Sequence, residues 1–510
     1  MENKKPLLSI RNLKQYFPVK GKKGVYVKAN DGISLEIYEN EILGVVGESG
    51  CGKSTLGRVL LQLYQQTDGE TIYYGRTMDS VAPKYALDIY KSLEKRIAEV
   101  KVALKKADEV EAEFAKLEST LQGKELFAKL DEKNKVRRDA DLEYKAIVRL
   151  VGGFYVAKDL REVSTALISY YLVTKEIKKV NQELTTLQMH LEALEFDKKE
   201  GKNVDSKLST VKAKMAAAKD GRLVSLEKDL KAKTDAVDAL RAKYADDPEF
   251  QRFEEMRDTG IDLARLKYDE MRFLRRDLQM IFQDPYSSLN SRLTVGQIIA
   301  EGPLTHEFFT GKGDQMQEYS MKLMEDCGLA PYMIHRYPHQ FSGGQRQRIG
   351  IARALSVKPK FVVCDEAVSA LDVSIQSQII NLLQELKEKE NLTYMFISHD
   401  LSVIKYISDR VAVMYLGNIV ELTSSVKLFE KPLHPYTEAL LTAIPTTDVD
   451  AKKEMIVLEG DIPSPVNPPK GCKFHTRCPY VMDICKQVTP ELVELEPEHF
   501  VACHKYTQES

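Results

Sequence analysis

Apolar and polar positions follow two different rhythms along this chain. Over residues 1–77 and 269–425, short apolar runs end abruptly in glycine or charged residues. Examples are EILGVV (41–46), GETIYYG (69–75), FVVCDE (361–366) and the run ending in ISHD (397–400). Runs of this kind predict buried strands, and TLGRVLLQLY (55–64) after the first of them predicts a helix. Between these regions the rhythm changes. Lys, Glu, Ala and Leu dominate, and no proline occurs from 84 to 247. Leu93, Val100, Ala107, Phe114 and Leu121 recur at seven-residue steps. Tyr170, Val173, Ile177, Val180, Leu184, Leu187, Leu191 and Leu194 alternate steps of three and four, which is the seam of a coiled coil. Leu208, Val211, Met215, Leu223, Leu226, Leu230, Val237 and Leu240 form a third series, joined to the second by the polar loop KKEGKNVDS (198–206). An antiparallel coiled-coil hairpin is predicted, with arms of roughly 30–40 residues reaching about 45–60 Å. Gly152-Gly153 reads as a flexible break near the return of the first helix.

The boundaries implied are 1–77 and 269–425 as two parts of one α/β domain, 78–268 as an insertion, and 426–510 as an extension. A chain of 510 residues has room for several folding units. The net charge of −2 argues against a general nucleic-acid binder, and no nucleic-acid partner is expected. There is no apolar run of about 18 residues to span a bilayer, and no signal-peptide h-region at the N-terminus.

Chemistry enters at Gly47-Glu48-Ser49-Gly50-Cys51-Gly52-Lys53-Ser54, which fits G-x-x-x-x-G-K-[ST] between a strand and a helix. Glycines let the backbone N–H groups of such a loop turn toward phosphate oxygens, and the following helix adds its positive end. Lys53 is the candidate for the β- and γ-phosphates, and Ser54 for Mg²⁺. Thr55 completes the set of candidate ATP contacts with Gly47, Ser49, Gly50, Cys51 and Gly52. The strand FVVCDE ends in Asp365, a candidate for the Mg²⁺ shell, and Glu366, a candidate general base for the attacking water.

FSGGQRQRIGIARAL (341–355) resembles the LSGGQ signature of the ABC ATPase family, with Phe341 in place of leucine. IFQDP (281–285) resembles that family's Q-loop, SALD (369–372) its D-loop, and ISHD its switch histidine. The resemblance implies a P-loop ABC ATPase, with a RecA-like core, an antiparallel β-layer and a helical signature subdomain. It also implies roles: Gln283 and Asp365 at the metal, Glu366 and His399 at the attacking water, and Asp372 in the D-loop. Ser342, Gly343, Gly344 and Gln345 would close on ATP held by a second ATPase subunit, identical or sibling. Phe17 in LKQYFPVK (13–20) is the expected adenine platform, with Tyr16 as the alternative.

LFEKPLHPYTEALLTAIP (428–445) and LEGDIPSPVNPPKGCKFHTRC (458–478) look like the C-terminal extension of oligopeptide and dipeptide importer ATPases, and the similarity covers 6–77 and 269–506. It implies a peripheral subunit on the cytoplasmic face of the membrane. Two transmembrane permease subunits would be its partners, fed by an extracytoplasmic peptide-binding protein. Nickel and sugar importers share the ATPase pattern. A rival class is the SMC-like ATPases, which use coiled coil for DNA or protein binding. In those the Q-loop precedes the coil, whereas Gln283 follows it here. Four of the seven cysteines cluster late: Cys472, Cys478, Cys485 and Cys503. Four thiolates suit a [4Fe–4S] cluster or an all-cysteine zinc site, and the resemblance favours iron–sulfur. The alternative is free or disulfide-bonded thiols. His475 and His504 stand beside these cysteines as substitutes.

Overall fold

The computed structural model describes residues 5–22, 24–117, 123–199, 201–309, 313–442, 456 and 458–506. Two compact units emerge. One combines Met1–Gly75 with Met271–Ser510, and the other is Arg76–Glu270.

The first unit is built on an eight-stranded sheet. Its order is Val493–Glu496, His499–Val501, Asn418–Ser424, Arg410–Tyr415, Ile42–Val46, Thr393–Ile397, Phe361–Asp365 and Leu278–Ile281. Neighbours from Arg410–Tyr415 to Leu278–Ile281 pair in parallel, and the remaining pairs are antiparallel. The central strands ILGVV, FVVCD and TYMFI are buried along their whole length. That is why they read as continuous apolar runs rather than alternating ones. Register aligns Val45 with Ile397 and Asp365 with Ile397, so the loops after these three strands open at one sheet end. Ligands of open α/β sheets bind at that carboxyl end. Pro6–Pro18 pairs antiparallel with both Tyr26–Tyr38 and Asp68–Tyr73, forming the second β-layer.

Helices Val295–Thr305, Asp314–Asp326 and Gly343–Leu355 share the main core with the sheet. Ser342 caps the last of these reciprocally with Gln345, and Phe341 is buried in the core just before the cap. The residues after 426 belong to this same unit. Their hairpin extends the main sheet, with Val501 opposite Glu421.

The second unit is helical. Leu93–Leu117 packs against Gly123–Val151, and Leu160–Lys199 packs against a return made of Asp205–Ala216, a π-helical turn Ala217–Leu223 and Val224–Ala242. The expectation of a single hairpin is thus corrected to two. Periodicity gives each helix a sticky face, but it does not say which helices face each other. Arg137 on one arm of the first hairpin bonds Glu111 at 2.6 Å and Asp108 at 2.7 Å on the other. Leu93, Val100, Ala107 and Phe114 are buried, while Leu121 lies outside the described residues. In the second hairpin Val173 and Val180 are buried, but Leu184, Leu187, Leu191 and Leu194 are only half-buried. Two helices alone cover one side of a seam.

Gly152-Gly153 is not a break but a buried 3₁₀ turn, Gly152–Val156. Gly152 has φ +56, and a Cβ on Gly153 would come within 2.5 Å of the Phe250 ring. Glycine is needed there for close packing.

Candidate active site

The strand Ile42–Val46 runs into the glycine turn, and the helix Lys53–Leu60 leaves it. Gly47 has φ +152, and a Cβ there would lie 2.2 Å from the Met414 carbonyl. Gly52 has φ +103, and a Cβ would lie 2.1 Å from the Ala29 carbonyl. Only glycine permits this path. Cys51 is buried, Ser49 and Gly50 are exposed at the crest, and Thr55 is half-buried on the helix. Lys53 is buried, and its Nζ donates to the carbonyls of Gly47 at 2.7 Å and Glu48 at 3.1 Å. An ammonium ion is therefore held inside the loop's own curve.

Ser54 Oγ donates to Asp365 Oδ1 at 2.6 Å, and Arg58 stands 3.5 Å from Asp365 Oδ2. A hydroxyl and a carboxylate converging in this way are the hard oxygen donors that suit Mg²⁺. One residue on, Glu366 adopts φ +49, and its N–H donates to Ile397 O at 3.0 Å. Gln283 Nε2 donates to Glu366 Oε2 at 2.6 Å, and His399 Nδ1 lies 3.6 Å from the same oxygen. Three segments far apart in sequence thus meet on one carboxylate, at the sheet end that carries the phosphate loop.

Phe17 is half-buried and packs edge-on to Tyr64, with centroids 5.3 Å apart. Tyr16 is committed elsewhere, donating its hydroxyl to Asp31. Ser342 and Asp372 are exposed at the starts of the helices Gly343–Leu355 and Val373–Glu390. A Cβ on Gly344 would lie 2.6 Å from Ile375, so glycine there lets the signature helix lie close to the helix after the D-loop. Among the described residues no hydrogen bond joins Ser342–Gln345 to the phosphate loop; Ser342 and Gln345 bond each other.

The tail cysteines are free, and burial raises the thiol pKa of Cys478 and Cys503. Cys472 is pushed up to about 11, by burial first and then by the nearby Cys485, Cys503 and Cys478. Four mutually sensed thiols are a donor set that a cation would stabilise as thiolates. Their placement does not close into a ligand shell, however. Among the described residues no three His, Cys, Asp or Glu side chains form a metal-holding group. His475 Nδ1 contacts Cys472 O at 2.8 Å, and His504 Nε2 contacts Val488 O at 2.9 Å.

Several site residues were not assigned from sequence. Arg477 forms a two-pronged ion pair with Glu48 in the phosphate loop, at 2.8 and 3.1 Å. Tyr436 Oη accepts the Glu48 N–H at 2.8 Å. Lys473 donates to Asp31 and to Leu416 O, each at 3.0 Å. Burial alone would raise the Asp31 carboxyl pKa, but Lys473, aided by the Tyr16 hydroxyl, brings it below its ordinary value. The motifs holding these residues, HPYT and GCKFHTRC, were visible, but nothing local in them says what they touch.

This fold and site define an ATP-hydrolysing cassette of the ABC class. The ABC transporter family model matches residues 30–153 and 251–369, and the model for the oligopeptide/dipeptide transporter C-terminal region matches 420–485. The oligopeptide transport ATP-binding protein AppF of Bacillus subtilis (strain 168) is 55% identical over 251 residues, 49% of this chain and 76% of that one. A putative oligopeptide transport ATP-binding protein, YkfD, from the same strain is 53% identical over 249 residues, 48% of this chain and 75% of that one. A putative peptide import ATP-binding protein of Brucella ovis is 54% identical over 244 residues, 48% of this chain and 76% of that one. A solved dimeric bacterial ABC transporter cassette aligns with 82% of this chain and 98% of its own at 14% identity and a TM-score of 0.42. The chain belongs to the family of ATP-binding subunits of oligopeptide/dipeptide ABC transporters.

Proposed function

We infer that this chain hydrolyses ATP to energise uptake of short peptides through a membrane permease. The observation that carries the reading is the convergence of Ser54 on Asp365 and of Gln283 and His399 on Glu366, beside a phosphate loop. The extension identifies the transporter class, and the relatives are named for peptide transport. SMC-like DNA or protein binding has no comparable support.

In this reading Lys53 and the N–H groups of Gly47–Thr55 bind the triphosphate, and Phe17 takes the adenine. Ser54, Asp365 and Gln283 would hold Mg²⁺, which supplies charge neutralisation at the β- and γ-phosphates. Glu366 accepts a proton from water, or orients it, for in-line attack on the γ-phosphorus, and His399 steadies that carboxylate. Ser342, Gly343, Gly344 and Gln345 serve the site of a second ATPase subunit, with Asp372 between the two sites. Two permease subunits anchor the pair at the cytoplasmic face of the membrane, and an extracytoplasmic binding protein delivers peptide. No described helix is long and apolar enough to cross a membrane, which accords with a peripheral place.

The test is co-purification from solubilised membranes, using tagged Glu366→Gln held with ATP and Mg²⁺. Two multi-span permeases are expected, together with peptide uptake that depends on this chain. Recovery of soluble partners alone, or uptake of nickel or sugar instead, would remove the reading.

For the cysteines we propose the iron–sulfur reading over zinc, because the extension matches that of oligopeptide/dipeptide transporters and supplies four free thiols as donors. The insert is likewise read as coiled coil, on its heptad seam. Anaerobically purified protein is expected to contain iron and acid-labile sulfide with broad visible absorption. Colourless protein with stoichiometric zinc would replace iron by zinc, and metal-free protein would end both readings.

A further inference from the structure

Residues 465–477 of the extension run along the nucleotide-binding face of their own unit. Pro465 O accepts the Lys28 N–H at 3.0 Å, Lys473 reaches Asp31, and Arg477 reaches Glu48. Phe474 is fully buried between these contacts, its ring 5.2 Å from Tyr415 and 5.5 Å from Tyr436. The HPYT and GCKFHTRC motifs therefore meet in one aromatic cluster directly behind the phosphate loop. Its polar tips, Tyr436 Oη and the Arg477 guanidinium, both end on Glu48.

Glu48 poses a physical problem. It is the second residue of a loop whose task is to wrap a polyanion, yet it carries a carboxylate. Left unpaired, that charge would repel the phosphates and could compete for the loop's own N–H groups. Arg477 answers both difficulties. Its side chain is 7% exposed and that of Glu48 is 24%, so the pair is little screened by solvent. Two parallel N–H···O bonds fix direction as well as charge. The guanidinium also lies over the Tyr415 ring, 6.0 Å from its centroid. The hydrogen bonds to Glu48 are the first cause of the raised Arg477 pKa.

We propose that Arg477 is a positioning residue for the phosphate loop, turning the Glu48 carboxylate away from the triphosphate and neutralising it, so that the C-terminal extension sets ATP affinity. This rests on residues 47–54 being the ATP site. The role differs from that of the cysteines and requires no metal.

The experiment is equilibrium ATP binding and steady-state hydrolysis by the full-length chain, with a double-mutant cycle on Glu48 and Arg477. Arg477→Ala is expected to raise the ATP Kd and KM about tenfold or more, with kcat changed by less than about threefold. Arg477→Lys, which keeps the charge but loses the fork, falls between. In a Glu48→Gln background, Arg477→Ala is expected to change Kd by less than about twofold, because no carboxylate remains to be neutralised. An unchanged Kd in Arg477→Ala would overturn the proposal while leaving the ATP site intact. So would an equal loss in both backgrounds, which would mark Arg477 as packing alone. If Arg477→Ala does not fold, Arg477→Gln carries the same comparison. Failure of the ATP-site reading looks different: wild type would not bind ATP, or Lys53→Ala would bind it equally well.

Discussion

Glu366→Gln is expected to lower ATP turnover by about 10²–10⁴-fold, the usual worth of a positioned general base, while ATP binding survives. The amide is nearly isosteric and can still meet Gln283, so the loop geometry should persist. What disappears is the ability to accept a proton at an oxygen that now lies 2.6 Å from Gln283 Nε2 and 3.6 Å from His399 Nδ1. The backbone is held independently of the side chain, since the Glu366 N–H bonds Ile397 O and its carbonyl accepts from Ser369 Oγ at 3.0 Å. Single-turnover hydrolysis and nucleotide binding, measured on the same preparation, check this. Because binding is kept, the variant should also trap the ATP-bound pair of subunits, which makes it the right bait for finding permeases. Turnover within about threefold of wild type would transfer the role of base to another group.

The parts of the site that could be read from sequence are those in which one short segment carries both its element and its chemistry. FVVCDE announces a buried strand and the two carboxylates at its end, and the parallel register then brings Asp365 level with Ile397, whose carbonyl accepts the Glu366 N–H. The phosphate loop is legible for the same reason: the glycines that its path requires stand next to the lysine that it presents. The extension is different. Arg477 and Glu48 lie 429 positions apart, and no periodicity links them. Val493–Glu496 and His499–Val501 were equally opaque as part of the main sheet. They are short, and contacts distant in sequence fix where they dock: Glu421 and Leu422 lie opposite Val501 and Phe500, and the buried His499 meets Glu421. In the insert, the heptads gave helices and seams but not partners. The charge-rich helix Gly123–Val151 takes the face of Leu93–Leu117 through Arg137, a choice made by side chains on two arms rather than by the pattern of either.

The histidine of HPYT yields the second large expectation, a loss of stability in mild acid. His434 is 1% exposed, and burial lowers its pKa to about 4, against a smaller opposing pull from Glu421. The geometry explains why the neutral ring is wanted. Nδ1 accepts the Tyr436 N–H at 3.1 Å, capping the helix Pro435–Thr442, and a protonated Nδ1 cannot accept. The ring also packs on Phe474, with centroids 5.6 Å apart. A histidine whose folded pKa lies below its unfolded value of about 6.5 takes up its proton more readily when unfolded. Its contribution is therefore intact above pH 6.5 and is lost as the pH falls toward 4. The full span is worth about 3 kcal/mol. Other ionisable groups contribute to the pH dependence of stability, so a variant must isolate the effect. His434→Asn keeps a side-chain acceptor for the helix cap but does not titrate. It should be somewhat less stable at pH 7.5, for want of the ring against Phe474, yet lose less stability than wild type between pH 7 and 4.5. Denaturant unfolding across that range decides the matter. Parallel pH curves for the two proteins would show that His434 is not the group responsible. Converging curves would show that the motif beside the phosphate loop is held by an uncharged histidine, and that mild acid loosens the Tyr436 contact to Glu48 together with the cap.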